Sequence, residues 1–459
     1  MPSIVTINVS QTTAPLPSTL QKKGAIISQG GTTLGVGSYA FLTQASDLTA
    51  LLPAPAGLNS VSWSGGVVTA TPSAPIPGLQ VGDTFRTTIA ACSPAGYNGL
   101  VTATVTGAQS FTYPLAVNPG TAVAVGTYTL PSVAGLTAKV NTFYSQGAGQ
   151  GVYVLELGAG DAATGPASLG TWIQSNPQTF YAYDCPGGWD ASSGFLALLA
   201  QYEALNSKTY FFINSTLATY ASYTAQMKCL FWLIPSTAAP LTESSVSAAF
   251  QHALQYAPSS TNRMTPMAFS FLFGVTPYPQ QGNNAVLTAV VAAGGNYVGT
   301  GAEGGISTAI LVNGTTADGQ DFTYWYSVDW IQIQSDLTIS NAVINGSNNP
   351  ANPLYYNQFG INTLQDNLVA LAQAGVAFGL GNGTVTQTAL DGPVFTTNLD
   401  DGDYPDQIVV NAVPFLIYTA ENPGDYRIGK YGGLTMVWIP NRGFTQIVFN
   451  IMVTQFLSQ

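Results

Sequence analysis

Val152-Tyr153-Val154-Leu155-Glu156-Leu157-Gly158-Ala159-Gly160 is a short, nearly continuous apolar run that ends in a glycine loop. A run of this kind fits a strand buried on both faces, as in a parallel sheet. Three more follow, at residues 179–183, 209–213 and 229–234. The segments between them hold helical patterns, clearest at 191–205 and 244–256. Strand–helix alternation predicts a mixed α/β region with a mostly parallel sheet from residue 132 to about 345. A helix-like stretch at 285–293 and an aromatic-dense one at 322–333 complete it.

Outward from this centre the pattern changes on both sides. Residues 58–131 carry short Val-, Thr- and Phe-rich runs at 67–71, 84–92, 100–106, 111–117 and 121–130, broken by Gly, Pro and Asn turns. That spacing predicts a small all-β barrel or sandwich, inserted as a compact module at 56–131. Asp83 and Arg86 are the only charges in the stretch. On the other side, residues 345–353 (Asn-Gly-Ser-Asn-Asn-Pro-Ala-Asn-Pro) read as a linker that closes a domain at 132–354. Residues 363–378 then predict an amphipathic helix, with Leu364, Leu368, Leu371, Ala372 and Val376 at helical spacing and Gly379 and Gly381 past its end. Residues 407–413, 415–419 and 434–439 read as strands. Residues 21–50 and the region after Pro353 each look like an incomplete α+β half. They are therefore expected to combine, as 21–55 plus 355–445.

The two ends are alike. Val5, Ile7 and Val9 share one face of an alternating run, and so do Ile447, Phe449, Ile451 and Val453 near the other terminus. Both are period-2 strand patterns. Breakers adjoin them: Pro15 and Pro17 after the first, Pro440 and Gly443 before the second. Residues 1–20 and 446–459 thus read as a strand on a linker, able to act as an edge strand or as an arm whose hinges are Pro15, Pro17, Pro440 and Gly443.

Composition narrows the function. The 459 residues include 10 Lys and Arg and 21 Asp and Glu, so 7% are charged, against about 25% in an ordinary globular domain. At roughly 150 residues per domain the length suggests about three domains. Mean hydropathy is +0.22. A surface so poor in charge is expected to be covered by copies of the same chain. Disorder is excluded by the hydrophobicity. No apolar stretch approaches the ~18–20 residues of a spanning helix. The net charge of −11 and the scattered cations, with Lys22-Lys23 the only adjacent pair, argue against nucleic acid. The opening MPSIVTINVS does not read as a secretory signal. Cys92, Cys185 and Cys229 are odd in number and far apart, and read as buried thiols of a protein made in a reducing cytosol.

Few residues suggest chemistry. His252 is the only histidine, so a histidine-built metal or triad site is not expected. Asp400-Asp401-Gly402-Asp403 lacks the calcium-loop pattern and reads as a solvated turn or a charge patch for a partner. Trp325, Trp330 and nearby tyrosines fit buried core or a subunit interface better than a sugar platform. Gly158-Ala159-Gly160, with Asp184 at the end of the next strand, resembles the cofactor loop of methyltransferases that use S-adenosylmethionine. It departs from that pattern at Ala162 and at Gly165-Pro166, and the preferred reading is a strand running into a flexible loop. No catalytic residue, metal or cofactor is expected.

A wider resemblance rests on an ordered set of motifs. Ile4-Val5-Thr6-Ile7-Asn8-Val9, Phe41-Leu42-Thr43 and Asp47-Leu48 resemble the N-terminus of myophage contractile-tail sheath proteins, in particular a branch long catalogued as an uncharacterised phage family. Gly78-Leu79-Gln80-Val81-Gly82-Asp83, Tyr97-Asn98-Gly99 and Phe111-Thr112-Tyr113 are similar to a small β-module of phage structural proteins. Gly314-Thr315-Thr316-Ala317-Asp318-Gly319 and Asp329-Trp330-Ile331 resemble a turn and strand of the sheath's outer region. The resemblance implies a virion tail component, assembled in the bacterial cytoplasm as hexameric rings stacked around a tail tube. Its implied partners are itself, the tube, and baseplate and terminator proteins. It further implies a tube-proximal α+β domain from both chain ends and an outer mixed α/β domain, the terminal arms adding strands to neighbours. Leu364, Asp366 and Leu368, on the helix at 363–378, would face the tube. A secreted surface-layer or adhesin-type protein, and an enzyme using S-adenosylmethionine, are the alternatives.

Overall fold

The computed structural model describes residues 20–444 except 78, 148–150, 206, 224–226, 235–243, 255–257, 281 and 303–305. They divide into two compact units: a larger one from residues 20–257, 265–325 and 442–444, and a smaller one from 258–264 and 326–441.

The larger unit opens with β1 (Gly24–Ser28) and β2 (Tyr39–Leu42). Six strands then close a barrel: β3 (Ala56–Ser64), β4 (Val67–Pro72), β5 (Thr84–Ser93), β6 (Gly99–Gly107), β7 (Ser110–Pro114) and β8 (Ala124–Tyr128). Alternation drives it: β4 buries every second residue, β5 does so from Phe85 to Ile89 and resumes at Cys92, and Phe85, Phe111, Tyr113 and Tyr128 fill the interior. Helix α1 (Pro131–Ser145) leads back to β9 (Val152–Glu156), α2 (Gly165–Ser175), β10 (Ala182–Asp184), α3 (Ser193–Ala204), β11 (Tyr210–Asn214) and β12 (Leu230–Ile234). After α4 (Ser245–Ala253) and α5 (Asn284–Ala292) come β13 (Asn296–Ala302) and β14 (Ile306–Val312).

These strands make one eight-stranded sheet in the order β14-β13-β12-β11-β10-β1-β9-β2. All neighbours are parallel except the two edge pairs, β13 with β14 and β2 with β9. Helices cover both faces. Phe211 packs on Phe195 and Tyr202 of α3, while the next residue, Phe212, packs on Phe250 of α4. β1, β11 and β12 are buried at every position, as strands covered on both faces must be.

The position of β1 corrects the expected pairing of residues 21–55 with 355–445. Ala25, Ile26 and Ile27 lie between β9 and β10, in the middle of the α/β sheet, and β2 closes its edge. An uninterrupted Gly-Ala-Ile-Ile needs apolar cover on both faces, which this sheet supplies.

The smaller unit holds α6 (Phe322–Asn348) from Tyr326 onward, then α7 (Gln358–Ala377), β15 (Thr384–Thr388), α8 (Gly392–Asp400), β16 (Gln407–Ala412), α9 (Phe415–Glu421), α10 (Pro423–Arg427) and β17 (Leu434–Val437). The three strands form a separate sheet, β15-β16-β17, with β15 parallel and β17 antiparallel to β16. Leu368 and Ala372 of α7 pack on Ile408 and Val410. Buried Gln365 ties helix to sheet, its Nε2 donating to the Thr388 and Val410 carbonyls at 2.5 and 3.0 Å.

Two local expectations also change. The linker at 345–353 begins inside α6, because Gly346 lets the returning chain press against the helix: a Cβ there would fall 2.3 Å from that of Leu354. Residues 415–419 are helical, not extended. Pro414 precedes the first turn, and Phe415, Tyr418 and Thr419 turn inward at helical spacing while Leu416 and Ile417 are exposed.

Candidate functional site

The glycine loop after β9 is built around an acid that is already occupied. Buried Glu156 accepts from Ser28 Oγ (2.7 Å), Gly30 N (2.7 Å), Thr32 N (3.1 Å), Thr32 Oγ1 (2.7 Å) and Gly158 N (2.7 Å). One carboxylate thus pins the loop after β1 to the loop after β9. Gly158 has φ +81°, and a Cβ there would press on Val36 at 2.9 Å. Asp161 fixes the rest of the turn by accepting from Ala163 N, Thr164 N and Thr164 Oγ1 at 2.9–3.0 Å.

Asp184, the candidate ribose ligand, is fully buried and ion-paired to Lys139, itself buried. Lys139 Nζ also donates to the Cys185 carbonyl at 2.6 Å, and Ser247 Oγ donates to Asp184 at 2.5 Å. Its oxygens face protein donors, so the two acids of this motif act as internal ties.

The remaining candidates are also turned inward or left single. His252 Nε2 lies 3.0 Å from the Phe271 carbonyl, and burial holds its pKa below the ordinary value. Trp325 Nε1 donates to Asp318 at 2.8 Å, with Lys228 Nζ 5.1 Å from its ring. Trp330 is buried against Phe378 and Trp438. Cys92, Cys185 and Cys229 are all buried, and burial pushes each thiol upward, so none can meet a neighbour's thiol while the fold is intact. Asp400 ends α8, and Asp401 and Asp403 lie in the turn that follows, all three exposed. Among the described residues no group of three or more His, Cys, Asp or Glu could hold a metal, and no helix is long and apolar enough to cross a membrane.

On α7, Asp366 is exposed and accepts from Gln387 Nε2 at 3.0 Å, and Leu364 is half-buried. Leu368 is buried in the core of the smaller unit, which corrects its expected place on a partner-facing surface. The apolar surface of this unit lies elsewhere. Tyr355, Phe359, Leu416 and Ile428 are 66–77% exposed. Sequence reading missed Leu416 because it placed residues 415–419 in a strand rather than in a helix with Leu416 on its outer face.

The two breakers near the C-terminus are anchored. Pro440 bridges Gly381, and Asn441 Nδ2 donates to the Gly379 and Gly381 carbonyls at 2.9 and 3.1 Å. In the larger unit, Arg442 lies over the Tyr324 ring, and Gly443 N donates to Asp321 at 2.7 Å. Val5, Ile7, Val9, Pro15, Pro17, Ile447, Phe449, Ile451 and Val453 fall outside the described residues.

No family model and no curated protein sequence matches this chain. Solved structures do. A chain of the anti-feeding prophage baseplate, 6-fold symmetrised, is similar at TM-score 0.53 and 13% identity, over 99% of both chains. A chain of the anti-feeding prophage helical sheath in its contracted state is similar at TM-score 0.50 and 10% identity, over 98% of this chain and 99% of that one. Over nearly all of its length, the protein shares its fold with these baseplate and helical-sheath chains.

Proposed function

We propose that this chain is the structural subunit of a contractile tail sheath, polymerising as stacked rings around a tail tube and contracting to drive the tube through a host envelope. The observation that carries the reading is the whole-length likeness to a chain of a contracted helical sheath. The charge-poor composition supports it, as does the exposed apolar surface of the smaller unit, since large apolar patches mark interaction sites. The internal use of Glu156 and Asp184 supports a structural over a catalytic role. On this reading the protein belongs to a virion tail assembled in the host cytoplasm, with tube, baseplate and terminator proteins as partners. The tube-proximal domain is then the smaller unit, with Asp366 the tube-facing group of α7.

The terminal segments complete the proposal. Val5, Ile7 and Val9, with Ile447, Phe449, Ile451 and Val453, add strands to neighbouring subunits, and the arms swing about Pro15 and Pro17 and about the chain beyond anchored Pro440 and Gly443. Contraction then needs no nucleotide, because its energy is held in a metastable extended lattice.

Negative-stain microscopy of the purified protein tests the reading. Hollow cylinders are expected; a flat two-dimensional lattice would point to a surface layer, and isolated globules at all concentrations would overturn it. Ile7→Asp or Ile451→Asp should abolish cylinders while leaving circular dichroism unchanged. Cylinders of normal length from these variants would remove the arms from the proposal.

A further inference from the structure

The larger unit contains a cleft of about 640 Å³ between the barrel and α1. That is the size of a small-molecule site. Its walls are largely apolar, with Leu52, Pro55 and Leu136 on one side and Phe85 and Leu100 on the barrel side. The charged groups of the lining carry one sign. Arg86 and Lys139 line the cleft and no carboxylate does, in a chain of net charge −11. Lys139 is committed to Asp184, whereas Arg86 has no carboxylate partner among the described residues.

A third group points the same way. Gln29 lines the cleft, and its Oε1 accepts from Trp189 Nε1 at 3.0 Å. That bond fixes the amide orientation, because a flip would set an N–H donor against the indole N–H donor. Nε2 is thereby turned toward Gly160 and Gly165, buried, with no acceptor among the described residues. A buried donor of this kind is rare; with no accessible surface in this state, it reaches a bound acceptor only when the Gln29 side chain turns toward the cleft.

We infer that this cleft binds an amphipathic organic anion, its apolar body between the barrel and α1 and its acidic head pairing with Arg86 and drawing Gln29 Nε2 outward to donate to it. The inference is independent of the sheath reading. The probe is dodecanoate, kept below its micelle concentration and titrated calorimetrically into the full-length chain, with dodecyltrimethylammonium and inorganic phosphate run alongside. Saturable one-to-one binding of dodecanoate alone is expected. Arg86→Gln should weaken it about tenfold or more, as loss of a charge-assisted contact does. Gln29→Leu should weaken it by a smaller factor, and Leu100→Trp, at an exposed rim position, should block it. Arg86 is exposed, so its variant tests binding without disturbing the core. Failure of dodecanoate to saturate, equal binding of the cationic detergent, or unchanged affinity in both Arg86→Gln and Gln29→Leu would each overturn the inference.

Discussion

In the larger unit, β1, β11 and β12 are buried at every residue, and one continuous core joins α2, α3 and α5 to the sheet. In the smaller unit only β16 is buried along most of its length, β15 and β17 are half exposed, and the core centres on Leu368, Ala372, Ile408 and Val410. Both draw on the same nearly uncharged composition. The larger unit buries most of its apolar residues in a deep core braced by buried acids, and leaves others, such as Val36, Val117, Val123 and Leu205, exposed. The smaller one leaves Tyr355, Phe359, Leu416 and Ile428 in solvent. Low charge therefore goes with two features in one chain: cores of unequal depth, and exposed apolar side chains on both units, the kind of surface that partners cover.

The contrast breaks most readily at the buried ion pair. Lys139→Met strands the Asp184 carboxylate and should cost about 3–5 kcal/mol in urea unfolding, whereas Lys139→Met with Asp184→Leu should be far milder. A single variant as stable as the parent would show that the larger unit does not depend on this lock. Glu156→Gln comes next: replacing half of a five-fold acceptor with a donor should cost about 2 kcal/mol by the same measurement. In the smaller unit, Phe359→Ser and Leu416→Ser should change stability by no more than about 0.5 kcal/mol, yet raise the protein concentration at which particles form. Strong destabilisation would make those residues core and dissolve the contrast.

The smallest effect is on pH. Burial disfavours the His252 imidazolium, so its folded pKa lies below the unfolded value of about 6.5. The stability it contributes is complete above that value and is lost as pH falls through it toward the folded pKa. Between pH 7 and 5 the melting temperature of the parent should fall more than that of His252→Gln. Equal slopes would show that His252 is solvated in the native state.

The parallel core was legible because apolar runs such as 152–157 and 229–234 have no other stable environment, and the barrel because alternation and turns recur through 58–131. β1 was misplaced because five residues without alternation do not name their neighbours; pairing is settled by sheet order, which short-range pattern does not contain. The same holds for Lys139 and Asp184, 45 residues apart, and for Gln29 and Trp189, 160 apart. The helix at 415–421 was read as a strand because Phe-Leu-Ile-Tyr-Thr has the composition of one, and only Pro414 signalled otherwise. The candidate site in the glycine loop looked like cofactor chemistry because the same glycines and acids that cradle a ligand can cross-brace two loops.

Sheet order also dictates a sequence of events during synthesis. β1 leaves the ribosome early, but both of its neighbours, β9 and β10, are translated only after the entire barrel. The barrel pairs only with itself and can finish while β1 waits. During that interval Ala25-Ile26-Ile27 is an uncovered apolar strand with two open edges, on a nascent chain that crowds with others of its kind on one message. Synthesis of residues 152–184, not closure of the barrel, then sets how long that strand stays uncovered.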